Sequence, residues 1–296
     1  MDEDHLIFDR RAVRLHRDRA SATLGGVSPV LQETAERLLE RLDDVTRSFS
    51  HALDIGGRGA VATGLKARGV AVTSCDLSPR MASLAGPGSV CADEEVLPFA
   101  PASFDLVVAN LSLHWVNDLP GALAQIRHVL KPDGLFLASM PVLPTLSGLR
   151  ETLAETELAL RDGVSARVSP FPALRDCAAL LQRTGFALPV VDADTLDLRY
   201  RTALALLKDL RAAGETNAVR LRDHRTPPLA LFPAALAALQ ARTPEGDSLS
   251  VPLHMAVMSA WAPAASQPKP LAPGQFSTSL HDVFGDAASA APKNGK

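Results

Sequence analysis

Cysteine is scarce in this chain: Cys75, Cys91 and Cys177 are all it has in 296 residues, and no two form a CxxC pair. That excludes a disulfide framework and argues against a thiolate zinc site. An excess of either charge is missing too. Thirty basic side chains face thirty-three acidic ones, a net charge of −3, whereas a general nucleic-acid binder usually carries a clear basic surplus. No long apolar run exists. The stretch Leu135 to Leu146 is broken by Pro141 and Pro144 and is too short to span a bilayer. The start, Met1-Asp-Glu-Asp-His5, is acidic and leads into no apolar segment, so neither a secretory signal nor an Arg-rich transit peptide is expected, and the location expected is the cytoplasm. No internal repeat is visible. No His or carboxylate pair has metal-ligand spacing on one helix face, so no metal is expected.

What is present is ordinary globular composition, 47% hydrophobic and 21% charged, in a length that fits one large domain or two modest ones. Ser28-Pro29 opens the first clear helix, with Ser as N-cap and Pro in the first turn, and Leu31, Ala35, Leu38, Leu39 and Leu42 form its apolar stripe. From residue 51 short apolar runs (His51 to Ile55, Val70 to Cys75, Ser89 to Cys91, Phe104 to Ala109, Gly134 to Ser139) alternate with helical segments (Ala60 to Ala67, Pro79 to Leu84, Leu119 to Leu130). Strands alternating with helices imply βαβ units and a mostly parallel sheet covered on both faces. Helices are then expected at Leu149 to Leu160, Ala173 to Thr184, Ala203 to Ala213 and Leu229 to Ala241. Strands are expected at Ala187 to Val191 and Leu249 to Trp261. The organisation that follows is an N-terminal segment and helix (1–50), a ligand-binding core (51–140), the rest of the same domain with a helical lid (141–262), and a flexible tail (263–296) rich in Pro, Ala, Ser and Gly.

Four groups of polar or glycine residues fall at the ends of four successive strands. The first strand runs into Asp54-Ile55-Gly56-Gly57-Arg58-Gly59, where glycine lets a ligand approach backbone and the next helix offers free N–H groups. The second ends at Asp76, placed to accept from both hydroxyls of a ribose. Asp93-Glu94 follow the third, where a carboxylate meets an exocyclic amine. The fourth gives Phe104 to Asn110 and then His114-Trp115. A glycine turn alone is weak, and Asp76 alone reads equally as a helix cap, but open α/β sheets bind ligands at the carboxyl ends of their strands and all four groups lie there.

In these motifs, and in Leu130-Lys-Pro-Asp-Gly-Leu-Phe136, residues 48 to 140 resemble the class I S-adenosylmethionine-dependent methyltransferases. The resemblance implies a Rossmann-like α/β fold with a seven-stranded, mostly parallel sheet, one antiparallel strand at Ser250 to Ala262, and helices inserted before it. It implies S-adenosyl-L-methionine as cofactor, held by Asp54, Gly56, Gly57, Gly59 and Asn110, with Asp76 on the ribose and Asp93 and Glu94 on the adenine. The family's turn carries glycines at alternating positions, whereas this chain has Arg58 and Ala60 there. Either the loop is a residue shorter and Gly57 and Gly59 serve, or the register holds and two glycines are lost. In the latter case Arg58 meets the methionine carboxylate or Ala60 crowds the ligand.

Outside the core, Phe8-Asp-Arg10, His114-Trp-Val-Asn-Asp118 and Lys208-Asp-Leu-Arg-Ala-Ala-Gly-Glu-Thr-Asn217 resemble the family of the mitochondrial complex I assembly factor, a methyltransferase-like arginine hydroxylase. This implies a bacterial relative acting on a subunit of the respiratory NADH dehydrogenase by methylation or hydroxylation, with Trp115, Asp209 and Asn217 toward the substrate. The malonyl-carrier-protein methyltransferase of biotin synthesis is a more distant cousin. His114 reads as a general base or as half of a packed aromatic pair. Arg11, Arg14, Arg17 and Arg19, ahead of the first helix, read as a cofactor cover, a patch for an acidic partner, or a solvated face. Glu215 reads as substrate-binding or as a surface residue after the helix-ending Gly214.

Overall fold

The computed structural model describes residues 6–161, 163–244 and 246–267. Seven strands form one sheet in the order β3-β2-β1-β4-β5-β7-β6. They are β1 (His51–Ile55), β2 (Ala71–Asp76), β3 (Val90–Cys91), β4 (Phe104–Asn110), β5 (Leu130–Pro141), β6 (Ala187–Tyr200) and β7 (Leu249–Trp261). The first five run parallel, and β7 is antiparallel to both its neighbours, β5 and β6. The mostly parallel sheet is what the alternating pattern implies, and the seven strands with an antiparallel one are what the resemblance to the class I methyltransferases implies. The closing strand is interior: β6, not β7, forms the edge. The order reverses between β1 and β4, and a sheet of this kind opens a crevice at such a point.

Nine helices among the described residues accompany the sheet. They are α1 (Arg10–Ala20), α2 (Ser28–Glu40), α3 (Ala60–Ala67), α4 (Pro79–Leu84), α5 (Leu119–Val129), α6 (Ser147–Leu160), α7 (Leu174–Arg183), α8 (Ala203–Ala213) and α9 (Leu231–Gln240). One face of the sheet buries Leu53, Val107 and Phe136 against Leu123 and Ile126 of α5 and Leu181 of α7. The other buries Leu106, Val108 and Leu137 against Leu38 and Leu39 of α2 and Leu65 of α3. Central strand β4 is buried at every residue, which is why Leu106 to Ala109 read as an unbroken apolar run. None of the helices is long and apolar enough to cross a membrane.

Three expectations need correction. The arginine cluster does not precede the first helix but forms it: α1 spans Arg10–Ala20, capped by Asp9, whose side chain accepts from Ala12 N at 3.1 Å. Its buried stripe is Ala12, Val13, Arg17 and Ala20, so an arginine occupies a core position and conceals the apolar period. Ser28 is not the cap of α2. It is the first helical residue, and its hydroxyl donates backward to Gly25 O at 3.0 Å. Strand β6 runs nine residues past Val191, to Tyr200, because the exposed alternate positions Ala193, Thr195, Asp197 and Arg199 belong to an edge strand paired with β7 along nearly its full length. Beyond the sheet proper, this extension carries a separate apolar cluster with α6, α8 and α9, built on Leu149, Leu153, Tyr200, Leu206, Ala235 and Leu239. The chain divides into two compact units, Met1–Pro263 and Ala264–Lys296. The tail expected at 263–296 lies outside the described residues from 268 onward.

Candidate functional site

The four strand-end groups converge, and the chain itself engages them. Asp54 is buried, and Ser74 Oγ donates to its Oδ2 at 3.2 Å. Burial pushes its carboxyl up to about 7, with the charge of Asp76 adding to the effect. Gly56 and Gly59 take the left-handed backbone, at φ +69° and +93°, and Gly59 stands directly before α3. A Cβ on Gly56 would lie 2.3 Å from Ser112 Cβ, and one on Gly57 would lie 2.8 Å from Ser74 Cβ. At both glycines the close approach is made by the chain's own serines. Ala60 is the first residue of α3, so glycine stands where the turn demands it and alanine where the helix begins.

Asp76 and Glu94 are held by α1. Arg17, 1% exposed, sends Nη1 to Glu94 Oε1 at 2.5 Å and to Asp76 Oδ2 at 3.4 Å, while its Nη2 reaches Ser112 O at 3.3 Å. Arg10 bonds the second Glu94 oxygen, Asp93 Oδ1 at 2.5 Å and Trp115 O at 3.1 Å. The other Asp76 oxygen accepts from Ser78 N at 2.7 Å. Burial raises both carboxyls. At Glu94 the two guanidinium groups outweigh burial and bring it down to about 2; at Asp76 burial, reinforced by Glu94, outweighs Arg17 and leaves it raised. Asn110 clamps α2, donating to Leu31 O and Thr34 Oγ1 and accepting from Ser139 Oγ.

S-adenosyl-L-methionine is the group that the family resemblance assigns to these residues, and as packed they do not receive it. Every oxygen of Asp76 and Glu94 is engaged within the chain. The cavity described below and a second one beside α2 and α3 are not lined by Asp54, Gly56, Asp76 or Glu94, although the second reaches Gly59. Arg17 engages Asp76, the carboxylate that the resemblance assigns to the ribose hydroxyls.

Open space lies one residue layer away. A cavity of about 690 Å³ runs between α1, α6, α8 and the extension of β6 and β7, walled by residues such as Leu149, Leu153, Leu198, Leu207 and Phe171. Its polar end holds Arg58, His114, Trp115 and Glu215. Glu215 is the hub. It accepts from His114 Nε2 at 2.7 Å, Trp115 Nε1 at 2.7 Å and Arg58 Nη2 at 3.0 Å. Burial works against its charge, but His114 and Arg58 outweigh that and hold the carboxyl far below its usual range. The local sequence explains the placement. Gly214 ends α8 at φ +81°, and Glu215 N bonds back to Leu210 O at 2.8 Å, a helix-terminating turn that carries residue 215 inward from the end of the helix. Trp115 is fixed edge-on by Phe8, with ring centroids 5.2 Å apart.

Bonding to an ionised carboxylate puts a proton on His114 Nε2. Buried polar atoms without a partner among the described residues include His114 Nδ1, Arg58 Nε, His16 Nδ1 and Ser169 Oγ, all on residues that line this cavity. The site thus offers a buried imidazole, a fixed anion and a guanidinium at the end of an apolar chamber. Asp209 and Asn217 line the same cavity. Asp209 bonds Tyr200, and Asn217 donates to Ala166 O at 2.7 Å. Sequence reasoning placed His114 and Trp115 here but left Glu215 undecided and gave Arg17 no role with Asp76; the Gly214-Glu215 step was the available signal for the first.

Residues 53–138 match the methyltransferase domain family. Over 286 residues the chain is 36% identical to "Arginine-hydroxylase NDUFAF5, mitochondrial" of Danio rerio, an alignment covering 94% of this chain and 89% of that one. It is 31% identical over 295 residues to "Malonyl-[acyl-carrier protein] O-methyltransferase" of Methylovorus sp. (strain MP688), covering 93% and 97%. The YcgJ protein of Bacillus subtilis shares the fold at a TM-score of 0.52 and 18% identity, over 77% of this chain and 97% of that one. The chain belongs to the class I S-adenosylmethionine-dependent methyltransferase superfamily and, by identity across nearly its whole length, to the branch of the arginine-hydroxylase NDUFAF5.

Proposed function

We propose that this chain is an S-adenosylmethionine-dependent enzyme of the methyltransferase family that modifies a protein, namely a subunit of the respiratory NADH dehydrogenase before its assembly. The observation that carries this reading is the Glu215 hub. The segment Lys208–Asn217, which resembles the assembly-factor family, brings Glu215 onto His114, Trp115 and Arg58 at the end of a cavity large enough for a side chain and its neighbours. A buried carboxylate there is suited to a guanidinium, the group named in the relative's activity, with Arg58 as the internal guanidinium that a substrate arginine would replace. This reading assigns His114 the role of taking a proton from the reacting group. The residues assigned to the cofactor are Asp54, Gly56, Gly57, Gly59, Asp76, Asp93, Glu94 and Asn110. Its binding at Asp76 and Glu94 calls for α1 to withdraw Arg17. The cytoplasm, in contact with the membrane-bound complex, is the location this reading implies.

The match to the Methylovorus enzyme along 97% of that protein supports a second reading, methylation of a malonyl thioester on a carrier protein. One experiment separates the two. Deleting the gene is expected to lower assembled NADH dehydrogenase and leave biotin synthesis intact. Mass spectrometry of the candidate subunit then reads the chemistry: one added oxygen for hydroxylation, one added methylene for methylation. Normal dehydrogenase assembly together with biotin auxotrophy would establish the second reading instead.

A further inference from the structure

The outer faces of α1 and α8 carry charge that the rest of the chain does not explain. Residues 11, 14, 15 and 19 are the exposed positions of α1 apart from its ends, and they are Arg11, Arg14, Leu15 and Arg19. The exposed positions of α8 are Leu204, Lys208 and Arg211, spaced four and three apart and therefore on one face. None of these five cations makes an ion pair or side-chain hydrogen bond among the described residues. The acids of the same helices are engaged elsewhere: Asp18 accepts from Ser78 Oγ at 2.5 Å, and Asp209 bonds Tyr200. An uncompensated basic strip thus sits on a chain whose net charge is −3.

The C-terminal ends of the two helices pack together. A Cβ on Gly214, at the end of α8, would lie 3.2 Å from Ala20 Cβ and 3.4 Å from Arg17 Cα, and Thr23 Oγ1 donates to Ala212 O at 3.3 Å. The strip also borders the cavity. Arg19, Leu204, Lys208 and Arg211 line it, while Arg58 and Arg167, its other cations, are paired with Glu215 and Glu157. Leu15 and Leu204 are 52% and 51% exposed, so apolar side chains alternate with the charges along the strip.

We propose that the outer faces of α1 and α8 form a docking strip for an acidic segment of a protein partner, whose carboxylates meet Arg11, Arg14, Arg19, Lys208 and Arg211 while one of its apolar side chains enters the cavity beside Leu204. The proposal rests on the reading above only in taking the partner to be a protein. The distribution of charge selects a peptide segment over a single bound lipid headgroup. Arg11 and Arg19 are eight residues apart on one helix, about 12 Å at 1.5 Å per residue, and α8 lengthens the strip further, whereas one headgroup presents its charge at a point. The apolar positions select it over a nucleic acid, whose phosphates bring no aliphatic anchor.

The test is direct binding of a short fluorescein-labelled peptide, in which aspartate and glutamate surround leucine and phenylalanine, to the full-length protein by fluorescence anisotropy. Binding is expected to weaken as salt rises, because exposed charges are screened. The Lys208→Glu/Arg211→Glu variant is expected to bind at least ten-fold more weakly, and Arg11→Glu/Arg14→Glu several-fold more weakly. Arg175→Glu, which reverses an exposed charge on α7, is the control expected to leave binding unchanged. Circular dichroism and thermal melts of each variant separate lost docking from lost fold, since all the altered side chains are exposed. The proposal is overturned if the asparagine/glutamine version of the peptide binds equally well. It is also overturned if the strip variants match the Arg175→Glu control, or if only phosphatidylglycerol vesicles or a single-stranded oligonucleotide bind in a strip-dependent way. None of these outcomes depends on dehydrogenase assembly, so this proposal and the function reading fail separately.

Discussion

Glu215 Oε2 accepts 2.7 Å hydrogen bonds from both His114 Nε2 and Trp115 Nε1, joining a residue at the end of α8 to two that follow β4. Its other oxygen takes Arg58 Nη2 at 3.0 Å, and the Arg58 side chain is only 5% exposed. Glu215→Gln keeps an acceptor for the two rings but leaves that guanidinium without its counter-charge, so a loss of about 3–5 kcal/mol in urea unfolding is expected. Arg58→Met combined with Glu215→Gln should recover part of the loss. In the modification assay, turnover of Glu215→Gln is expected to fall about 10–100-fold with a smaller change in KM, because His114 loses the carboxylate that orients it. An activity loss no larger than the loss of folded protein would reduce Glu215 to a structural role.

Arg17 is the second decisive side chain. Replacing it with methionine keeps much of its volume and removes the charge that both Asp76 and Glu94 face. Arg10 still holds Glu94, so the variant is expected to fold but to lose about 3 kcal/mol in chemical denaturation. If Arg17 occupies the cofactor's place, calorimetric titration should show S-adenosylmethionine binding more tightly to Arg17→Met than to the wild type. Asp76→Ala should bind it more weakly by about 1–3 kcal/mol, the cost of leaving buried hydroxyls without their acceptor. Weaker binding to Arg17→Met would show that Arg17 helps to hold the cofactor and does not exclude it.

The sheet was legible in the sequence because its physics is local. Alternating apolar runs and helical stripes locate β1 to β4 and α3 to α5 closely, and α8 to the residue, while β5 begins at Leu130 and ends at Pro141, beyond both ends of the expected run Gly134 to Ser139. The N-terminal helix was not legible, since Arg17 sits at a core position and its partners, Asp76 and Glu94, are 59 and 77 residues away. The length of β6 was hidden for a related reason: an edge strand alternates polar residues on an open face and lacks the apolar run that marks β4. At the site, the strand-end carboxylates could be named from motif order, but nothing short-range says that an arginine of the same chain meets them.

The glycine turn offers a contrast between two left-handed residues. Gly56→Ala combines φ +69° with a Cβ 2.3 Å from Ser112 Cβ, so both strain and a backbone shift are required. Gly59→Ala meets nothing within 4 Å and suffers only from φ +93°. Expected losses are about 3 kcal/mol or more for the first and about 1–2 kcal/mol for the second. Ala60→Gly, at the first position of α3, should cost less than 1 kcal/mol, roughly the alanine–glycine difference in a helix. Equal melting temperatures for the two Gly→Ala variants would contradict the packing of Ser112 against Gly56.

Asp54 and Glu94 set opposite pH dependences, and their windows overlap only between pH 3.8 and 4.5. Burial raises Asp54 from 3.8 to about 7, so the folded chain favours its protonated form. The stability this contributes is fully present below pH 3.8 and is lost as pH rises through about 7. Glu94 is the reverse case. Burial disfavours its charge, but Arg17 and Arg10 outweigh that and lower it from 4.5 to about 2, so its contribution is present above pH 4.5 and is lost as pH falls toward 2. Asp54→Asn mimics the protonated acid and still accepts from Ser74 Oγ. Its stability relative to wild type is therefore expected to climb between pH 4 and 7, by on the order of 2–4 kcal/mol, and to level off above. Glu94→Gln should be destabilised at pH 7, where Arg17 and Arg10 lose their shared partner, and should converge on wild type as acid protonates Glu94 in both folded and unfolded chains. Urea unfolding of the three proteins from pH 3 to pH 8 checks both curves. A stability difference for Asp54→Asn that stays flat between pH 4 and 7 would mean that Asp54 keeps its charge in the fold, and that the ring of acids at these strand ends is better solvated than its burial indicates.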